Sequence, residues 1–537
     1  MEPSVRRWLI VVVLAGAALR IFPVWFGLPY PQARPDEETA LSLALQASRG
    51  DLNPRFFHWP SLTIYVFAAV LGVARLAHGL LVRGGELGFT GHVLLARVVV
   101  ALAGTATIYV LFHLSVRAAG ARTALVASAF LAVAILHVRE SHFAMTDVLT
   151  TLLVAASLAH LMRVVMAPVR GVPADAVRWC AIAGLSAGLA ASTKYSAAAL
   201  AASMLAAQAI WFIRVPRLAL SWGAWLPSIA YGTAMTAGFL VATPYAGLDH
   251  AKFSRDLAFN FTHLSEGHQG VMLGHGWIYH ATTSLPYGVG VPVCLAALAG
   301  LVPFVRHHAR AATVLGAFAV SFYLVVGNGY TVFFRYMLPL VPLVCLSAAI
   351  GVSHAASWLA PRLRVQQGVA LGALVAVTAG PALVYSAWFD LLLARTDTRV
   401  LAGRWLEARI RPGDSLYDAG DDYARLDMWR AAFDRWDYDE ASSSFAGGDG
   451  GKPDWLVLHE SPLSAYTRTP PALRRLASST YALVHEVPGT RGRARSAMYD
   501  RQDAFFLPVS GFSTVVRPGP TVRIYRRRGL PAFDGSR

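Results

Sequence analysis

Twelve apolar runs, most of them long enough to bridge a bilayer, constrain this chain more than any other feature. They occupy residues 8–28, 61–82, 92–116, 123–137, 148–166, 179–192, 196–213, 218–242, 284–305, 311–326, 337–352 and 369–392. A membrane helix needs about 20 mostly apolar residues to cross the hydrocarbon, and a water-soluble core does not absorb a dozen such stretches. Composition agrees: 15% of the 537 residues are charged and 55% are hydrophobic, where soluble proteins run near 25% charged, roughly. Disorder and fibrous repeats are excluded by the same apolar content. The first run reads as a span and not as a leader ahead of a soluble enzyme, because eleven more follow it. The net charge of +16 does not point to nucleic acid. Lysine occurs at Lys194, Lys252 and Lys452, and arginine supplies the rest of the 47 basic residues, a bias that reflects genome base composition. Cys180, Cys294 and Cys345 are far apart in apolar stretches, which suggests neither a disulfide framework nor a zinc site.

Arginine sets the orientation, since cytoplasmic loops retain Lys and Arg. The basic clusters are Arg6 with Arg7, Arg117 with Arg122, Arg163 with Arg170 and Arg178, Arg214 with Arg217, Arg306 with Arg310, and Arg362 with Arg364. From Arg117 onward, successive clusters are two runs apart, as an inside-only rule demands. Between Arg7 and Arg117 there are three, so one run does not span. The run 61–82 contains Arg75 and His78 and starts straight after Trp59-Pro60; it reads as a helix or helical hairpin on the outer surface. Eleven spans remain, with the N-terminus cytoplasmic and everything after Leu392 outside. The runs 123–137 and 179–192 are short and are expected to extend into flanking polar residues. The tail differs in character. It carries most of the acids, a turn at Pro412-Gly413-Asp414, a helical pattern over 398–410, and strand candidates at 415–417, 455–458 and 522–525. The expected organisation is therefore a membrane domain over 1–393, with a long outer loop at 29–91, and an extracytoplasmic α/β domain over 394–537.

With that topology, two acidic groups fall on the outer face. One is Asp36-Glu37-Glu38, just after Arg34-Pro35; the other is Glu140 with Asp147, in the segment Arg139-Glu140-Ser141-His142 to Asp147. Acids at helix ends commonly serve the helix dipole, which is the reading for Glu38. Asp147 is divided between capping, with Thr146, and substrate contact. Asp36 and Glu37 read as functional, because ionisable residues at membrane depth are costly and mark substrate pathways. Lys194, in Ser192-Thr193-Lys194-Tyr195, and Arg335, in Phe333-Phe334-Arg335-Tyr336, are the cations on the same face; basic residues at helix ends often snorkel, but Arg335 opposes the inside-positive bias. His58, beside Trp59-Pro60, reads first as interfacial and joins the binding candidates. His263, His268, His275 and His280 lack metal-ligand spacing.

These residues resemble the GT-C membrane glycosyltransferases of glycosyltransferase family 39, which includes protein O-mannosyltransferases and aminoarabinose transferases of lipid A. The resemblance rests on Pro35-Asp36-Glu37 after the first span, Gly50-Asp51-Leu52-Asn53-Pro54, and Phe57-His58-Trp59-Pro60-Ser61-Leu62. It continues through Arg139 to Asp147, Thr193-Lys194-Tyr195, Thr243-Pro244-Tyr245, and Arg335-Tyr336-Met337-Leu338-Pro339-Leu340-Val341-Pro342, in family order. Where the aminoarabinose transferases carry Lys-Pro-Pro against lipid phosphate, this chain has Trp59-Pro60-Ser61, so another cation must serve. The sugar-binding-like luminal insertion of the protein O-mannosyltransferases has no counterpart here.

The resemblance implies inverting transfer of a sugar from a polyprenyl-phosphate donor to a hydroxyl of a lipid, glycan or protein, with membrane lipids as surroundings and no cofactor or metal. Asp36 would be the base, with Glu37 positioning the acceptor or Asp36. Lys194, Arg335 and Arg139 are candidates to stabilise the departing phosphate, and Asp147 and Glu140 to orient sugar hydroxyls or these cations. The rival readings are a transporter or lipid flippase and a scaffold exposing the C-terminal domain. Transporters show paired repeats, and no such symmetry is visible in the sequence.

Overall fold

The computed structural model of the protein describes residues 2–81, 87–167, 175–428, 430–446, 451–492 and 496–531. Arg170 of the third basic cluster and Val82 at the end of the second run lie outside them. The chain divides into two compact units. The first comprises Met1–Val24, Thr39–His268 and Met272–Ala387; the second comprises Trp25–Glu38, Gln269–Val271 and Trp388–Arg537.

The first unit is helical. Its opening helices are α1 (Pro3–Ile21), α2 (Glu37–Ser48, whose first two residues count with the second unit), α3 (Leu62–Leu81), α4 (Phe89–Ala119), α5 (Ala121–Val133) and α6 (Ile135–Glu140). Next come α7 (Asp147–Val165), α8 (Ala176–Ala191), α9 (Ala201–Arg214) and α10 (Leu226–Ala242), then helices over His250–Glu266, Val291–His307, Ala309–Val326, Val341–Leu363 and Gln367–Leu393. Among the described residues seven helices are long and apolar enough to cross a membrane, or eight if the pair Gly276–Val289 and Val291–His307, bent by 115°, is one span. Three shorter apolar helices are α5, α8 and α10. α8 does begin in the polar flank of its run. α3 is one uninterrupted helix of 20 residues, not a hairpin. It is also one of the seven helices that pass the length and hydropathy test for a span, so the expectation of a surface helix has the arginine pattern alone behind it.

Two local devices position the site. Between α5 and α6 the backbone turns extended at Ala134 (ψ 113°), which strips the last α5 carbonyls of helical partners. Arg20, fully buried in α1, supplies them: Nη1 donates to Ala132 O at 2.9 Å and Nη2 to Leu131 O at 2.9 Å. Irregular backbone at membrane depth survives only where such groups are satisfied inside protein. The charge buried in the first run therefore has a structural task, and the break it permits releases the buried α6, which carries Arg139 and Glu140. The second device is a glycine seam. A Cβ on Gly184 or Gly188 of α8 would stand 2.2 Å from Tyr231 O or 2.1 Å from Met235 O of α10. Small residues four apart let two helices approach to backbone contact, the main source of association where lipid is the solvent.

The second unit contains a five-stranded mixed sheet. Its strands are β1 (Ser415–Asp418), β2 (Asp434–Arg435), β5 (Trp455–Glu460), β6 (Tyr481–Val487) and β7 (Thr521–Arg527), in the order β2-β1-β5-β7-β6; β3 (Asp437–Asp439) and β4 (Ser444–Ala446) form a separate hairpin. β1 is parallel to β2 and β5, while β7 is antiparallel to β5 and β6. The Trp455 to Leu458 run is buried on both faces, as a central strand with continuous apolar sequence must be. The helix Thr398–Glu407 precedes β1, and Asp397 caps it by accepting the Arg399 amide at 2.9 Å. Its Ala402 and Leu406 pack with Leu416, Trp455, Val457, Val522 and Ile524 in the core. All three strands expected from sequence are present, each running slightly beyond its predicted bounds; β2, β6 and the helix Pro471–Thr480 were not anticipated.

Candidate active site

In the first unit the 139–147 segment is wholly buried. Arg139 and Glu140 form an ion pair, and the guanidinium of Arg139 lies 5.3 Å from the centre of the Phe143 ring. Asp147 opens α7. Thr146 makes no side-chain cap there; the Asp147 carboxylate instead accepts from Lys194 Nζ. Lys194 precedes a short 3-10 turn, Tyr195–Leu200, in an extended conformation that sends its side chain toward α7. The neighbouring Thr193 hydroxyl is 2.8 Å from that of Thr150 on α7. Lys194 Nζ also sits 4.5 Å from the Tyr336 ring centre, within cation–π reach. Arg335, one residue earlier, stacks on Phe333 at 4.1 Å. The structure thus brings together Asp147, Lys194 and the Arg335-Tyr336 element, three pieces far apart in sequence. The Lys194 side chain keeps 24% exposure, so an ammonium with three donors remains open to a second anion.

His58 is fixed as an aromatic wedge, edge-on to Phe56 (4.8 Å) and Phe259 (4.6 Å), and burial lowers its pKa. Its neighbour Phe57 is held at both ends of the residue. The Phe57 amide donates to Asp256 at 2.8 Å and its carbonyl accepts from the Tyr195 hydroxyl at 2.9 Å. Asp256, on the helix His250–Glu266, was not singled out from sequence. His263 and His268 are edge-on at 5.2 Å, while His275 packs against Trp277 and Tyr330. Among the described residues no group of three or more His, Cys, Asp or Glu is gathered for a metal. An apolar cavity of about 430 Å³ lies between Ala47 and Ser48 of α2, Tyr65, Ala68 and Ala69 of α3, and Val241 and Pro244 at the end of α10.

Asp36 and Glu37 lie in the second unit. Arg34 is extended, as the residue before a proline must be. Pro35 follows, and Asp36 then adopts φ +71°, a left-handed conformation uncommon for any residue but glycine. Such backbone costs about 1–3 kcal/mol and clusters at functional sites. Glu37, 1% exposed, and Glu38 occupy the first turn of α2, where the helix dipole favours carboxylates. Burial, with the charges of Asp36 and Glu37 adding to it, pushes Glu38 up to about 7, and its Oε2 has no hydrogen-bond partner among the described residues. The loop after β1 brings Tyr423 to this segment. Asp418 folds that loop by accepting the amides of Gly420 (3.0 Å) and Leu426 (2.9 Å). Burial, reinforced by Asp36 and Glu38, holds the Tyr423 phenol above its ordinary range.

Comparison with known proteins gives this architecture a class. Residues 87–245, which include Arg139, Glu140, Asp147 and Lys194, match the family profile described as dolichyl-phosphate-mannose-protein mannosyltransferase. ArnT from Cupriavidus metallidurans, solved bound to undecaprenyl phosphate, superposes with a TM-score of 0.51 at 17% identity over 96% of this chain and 97% of that one. The Archaeoglobus fulgidus oligosaccharyltransferase in its apo form gives 0.51 at 10% identity over 77% of this chain. The same enzyme, AglB, with an inhibitory peptide and a dolichol-phosphate gives 0.51 at 11% over 78%. The match spans 62% of the archaeal protein's length. No curated protein matches the chain by sequence. The chain is a polytopic membrane protein that shares the GT-C fold of these solved structures, and its residues 87–245 are similar to the mannosyltransferase profile.

Proposed function

We propose that the chain moves a sugar, with inversion, from a polyprenyl-phosphate donor to a hydroxyl acceptor at the outer face of the membrane. The observation that carries this reading is Asp36, a partly buried carboxylate on a strained left-handed turn, in a chain with this fold. The acceptor oxygen attacks the anomeric carbon and the bond from that carbon to the phosphate oxygen breaks. Asp36 takes the hydroxyl proton and the polyprenyl phosphate departs as an anion. A carboxylate within about 3 Å of the hydroxyl suits that role, and an oxocarbenium-like transition state is the usual one for glycosyl transfer. Glu37 positions Asp36 or the acceptor. Lys194, Arg335 and Arg139 supply positive charge for the leaving phosphate, and Asp147 and Glu140 orient those cations or sugar hydroxyls. His58 and its aromatic neighbours line the approach, and the cavity beside α3 takes part of the prenyl chain, consistent with the undecaprenyl phosphate and dolichol-phosphate bound by the two solved neighbours. Likeness to the mannosyltransferase profile over 87–245 favours transfer over the conduit reading.

Membranes carrying the chain, given a polyprenyl-phosphate sugar, are expected to consume it, and Asp36→Asn to lower the rate by about 10²–10⁴-fold. Glu37→Gln is expected to cost less. A folded Asp36→Asn protein that turns over donor at the original rate removes the proposal.

A further inference from the structure

We infer that Asp503, near the far end of the chain, is a positioning residue for the transfer reaction: its buried ion pair with Arg34 fixes the turn that presents Asp36. The inference rests on the reading of Asp36 given above. It assigns part of the site to the C-terminal sequence, which has otherwise been read as a separate outer domain.

The pair is dry. Arg34 Nη1 meets Asp503 Oδ1 at 2.8 Å, with side chains 0% and 2% exposed. The guanidinium lies 5.8 Å from the centre of the Phe505 ring, and Phe26 packs edge-on to the same ring at 6.1 Å. Asp503 sits on a fixed base, because the carbonyl of Gln502 accepts from the Tyr466 hydroxyl at 2.7 Å and the Gln502 side-chain Nε2 donates to Val271 O at 2.8 Å. Residues 502–503 therefore grip both Trp25–Glu38 and Gln269–Val271. A second grip lies four residues before Arg34. The Tyr30 hydroxyl donates to Arg425 O at 3.0 Å, and its ring lies 4.6 Å from the Arg399 guanidinium. Arg399 is itself locked onto Asp397 by bonds of 2.8 and 2.7 Å and donates to the Tyr423 carbonyl.

Asp36 follows Arg34 by two residues, with only the rigid ring of Pro35 between them. Left-handed backbone at a non-glycine residue persists when its surroundings over-determine it. The Arg34–Asp503 pair is a fixed point two residues from Asp36 in sequence. Without it, the turn relaxes toward ordinary negative φ and carries the carboxylate out of reach of an acceptor proton, where a displacement of about 1 Å costs about a hundredfold.

The test uses the full chain in membranes and in detergent. Asp503→Asn keeps the shape and removes the charge. It is expected to raise hydrogen exchange across residues 30–38 and to lower kcat by roughly ten- to a hundredfold with the donor KM nearly unchanged. Asp503→Glu and the swapped pair Arg34→Asp with Asp503→Arg are expected to recover part of kcat; they also decide the matter if Asp503→Asn does not fold. Unchanged exchange over 30–38 overturns the inference. So does raised exchange with full kcat, or a loss confined to KM. Full turnover by Asp36→Asn, by contrast, defeats the transfer reading on its own, while the exchange data still report whether the clamp exists.

Discussion

Two ion pairs in this molecule look alike on paper and differ in one property, water. Arg34–Asp503 in the second unit is sealed at 0% and 2% exposure, whereas in Lys194–Asp147 of the first unit the lysine keeps 24%. A dry pair has exchanged hydration for fixed partners inside the protein, so losing either member leaves the other's charge poorly compensated in the interior. A wetter pair can be shared with an incoming anion, since the ammonium has donors left over. The contrast separates a group that holds structure from one that can meet substrate, and it does so without reference to sequence motifs.

The largest effect expected from breaking that contrast is on stability. Arg34→Met strands Asp503 and should lower the unfolding free energy by about 3–5 kcal/mol, seen as an early melting transition in detergent. A loss below about 1 kcal/mol would mean that the pair is not the dry clamp described. Lys194→Gln should do the opposite. Its stability cost is expected to be smaller, about 1–3 kcal/mol, because the new amide can still donate to the buried Asp147 carboxylate, while transfer falls by about 10²-fold, the usual consequence of losing a donor to a developing anion. Equal melting losses for the two variants would erase the distinction. The smallest effect is a pH profile. Glu38 holds its proton up to about 7 in the folded chain against an ordinary value of 4.5. Between those values the folded state binds a proton that the unfolded state has released, so stability is fully present below 4.5 and declines as pH rises through 7. Glu38→Gln should flatten that decline, and a melting curve that keeps the same slope across this window would count against the burial of Glu38.

Much of the fold is legible in the sequence because its signals are local. Apolar runs report membrane helices directly, and Trp455 to Leu458 or Val522 to Tyr525 announce strands by composition. The Lys194 and Asp147 sides of the candidate site were legible too, since both lie at helix ends on the same expected face. The clamp was not. Arg34 and Asp503 are 469 positions apart, and nothing around Asp503 in Tyr499 to Ala504 distinguishes it from other loop acids. Asp256 is half legible: its pairing with Lys252 at i,i+4 can be read from the helix sequence, but its bond to the Phe57 amide, 199 positions away, leaves no trace there. α3 shows the limit of hydropathy, because a 20-residue apolar helix passes the same length test whether it crosses a bilayer or lies along it.

The glycine seam between α8 and α10 has a mechanical consequence. Carbonyls of Tyr231 and Met235 stand where even a methyl group on Gly184 or Gly188 would collide, so these helices must travel as one strut. Val241 and Pro244, at the end of that strut, form one wall of the recess beside α3. On the opposite side of that recess α3 is held differently: a Cβ added at its Gly72 or Gly79 would meet nothing within 4 Å, so no comparable backbone seam locks α3 at these points.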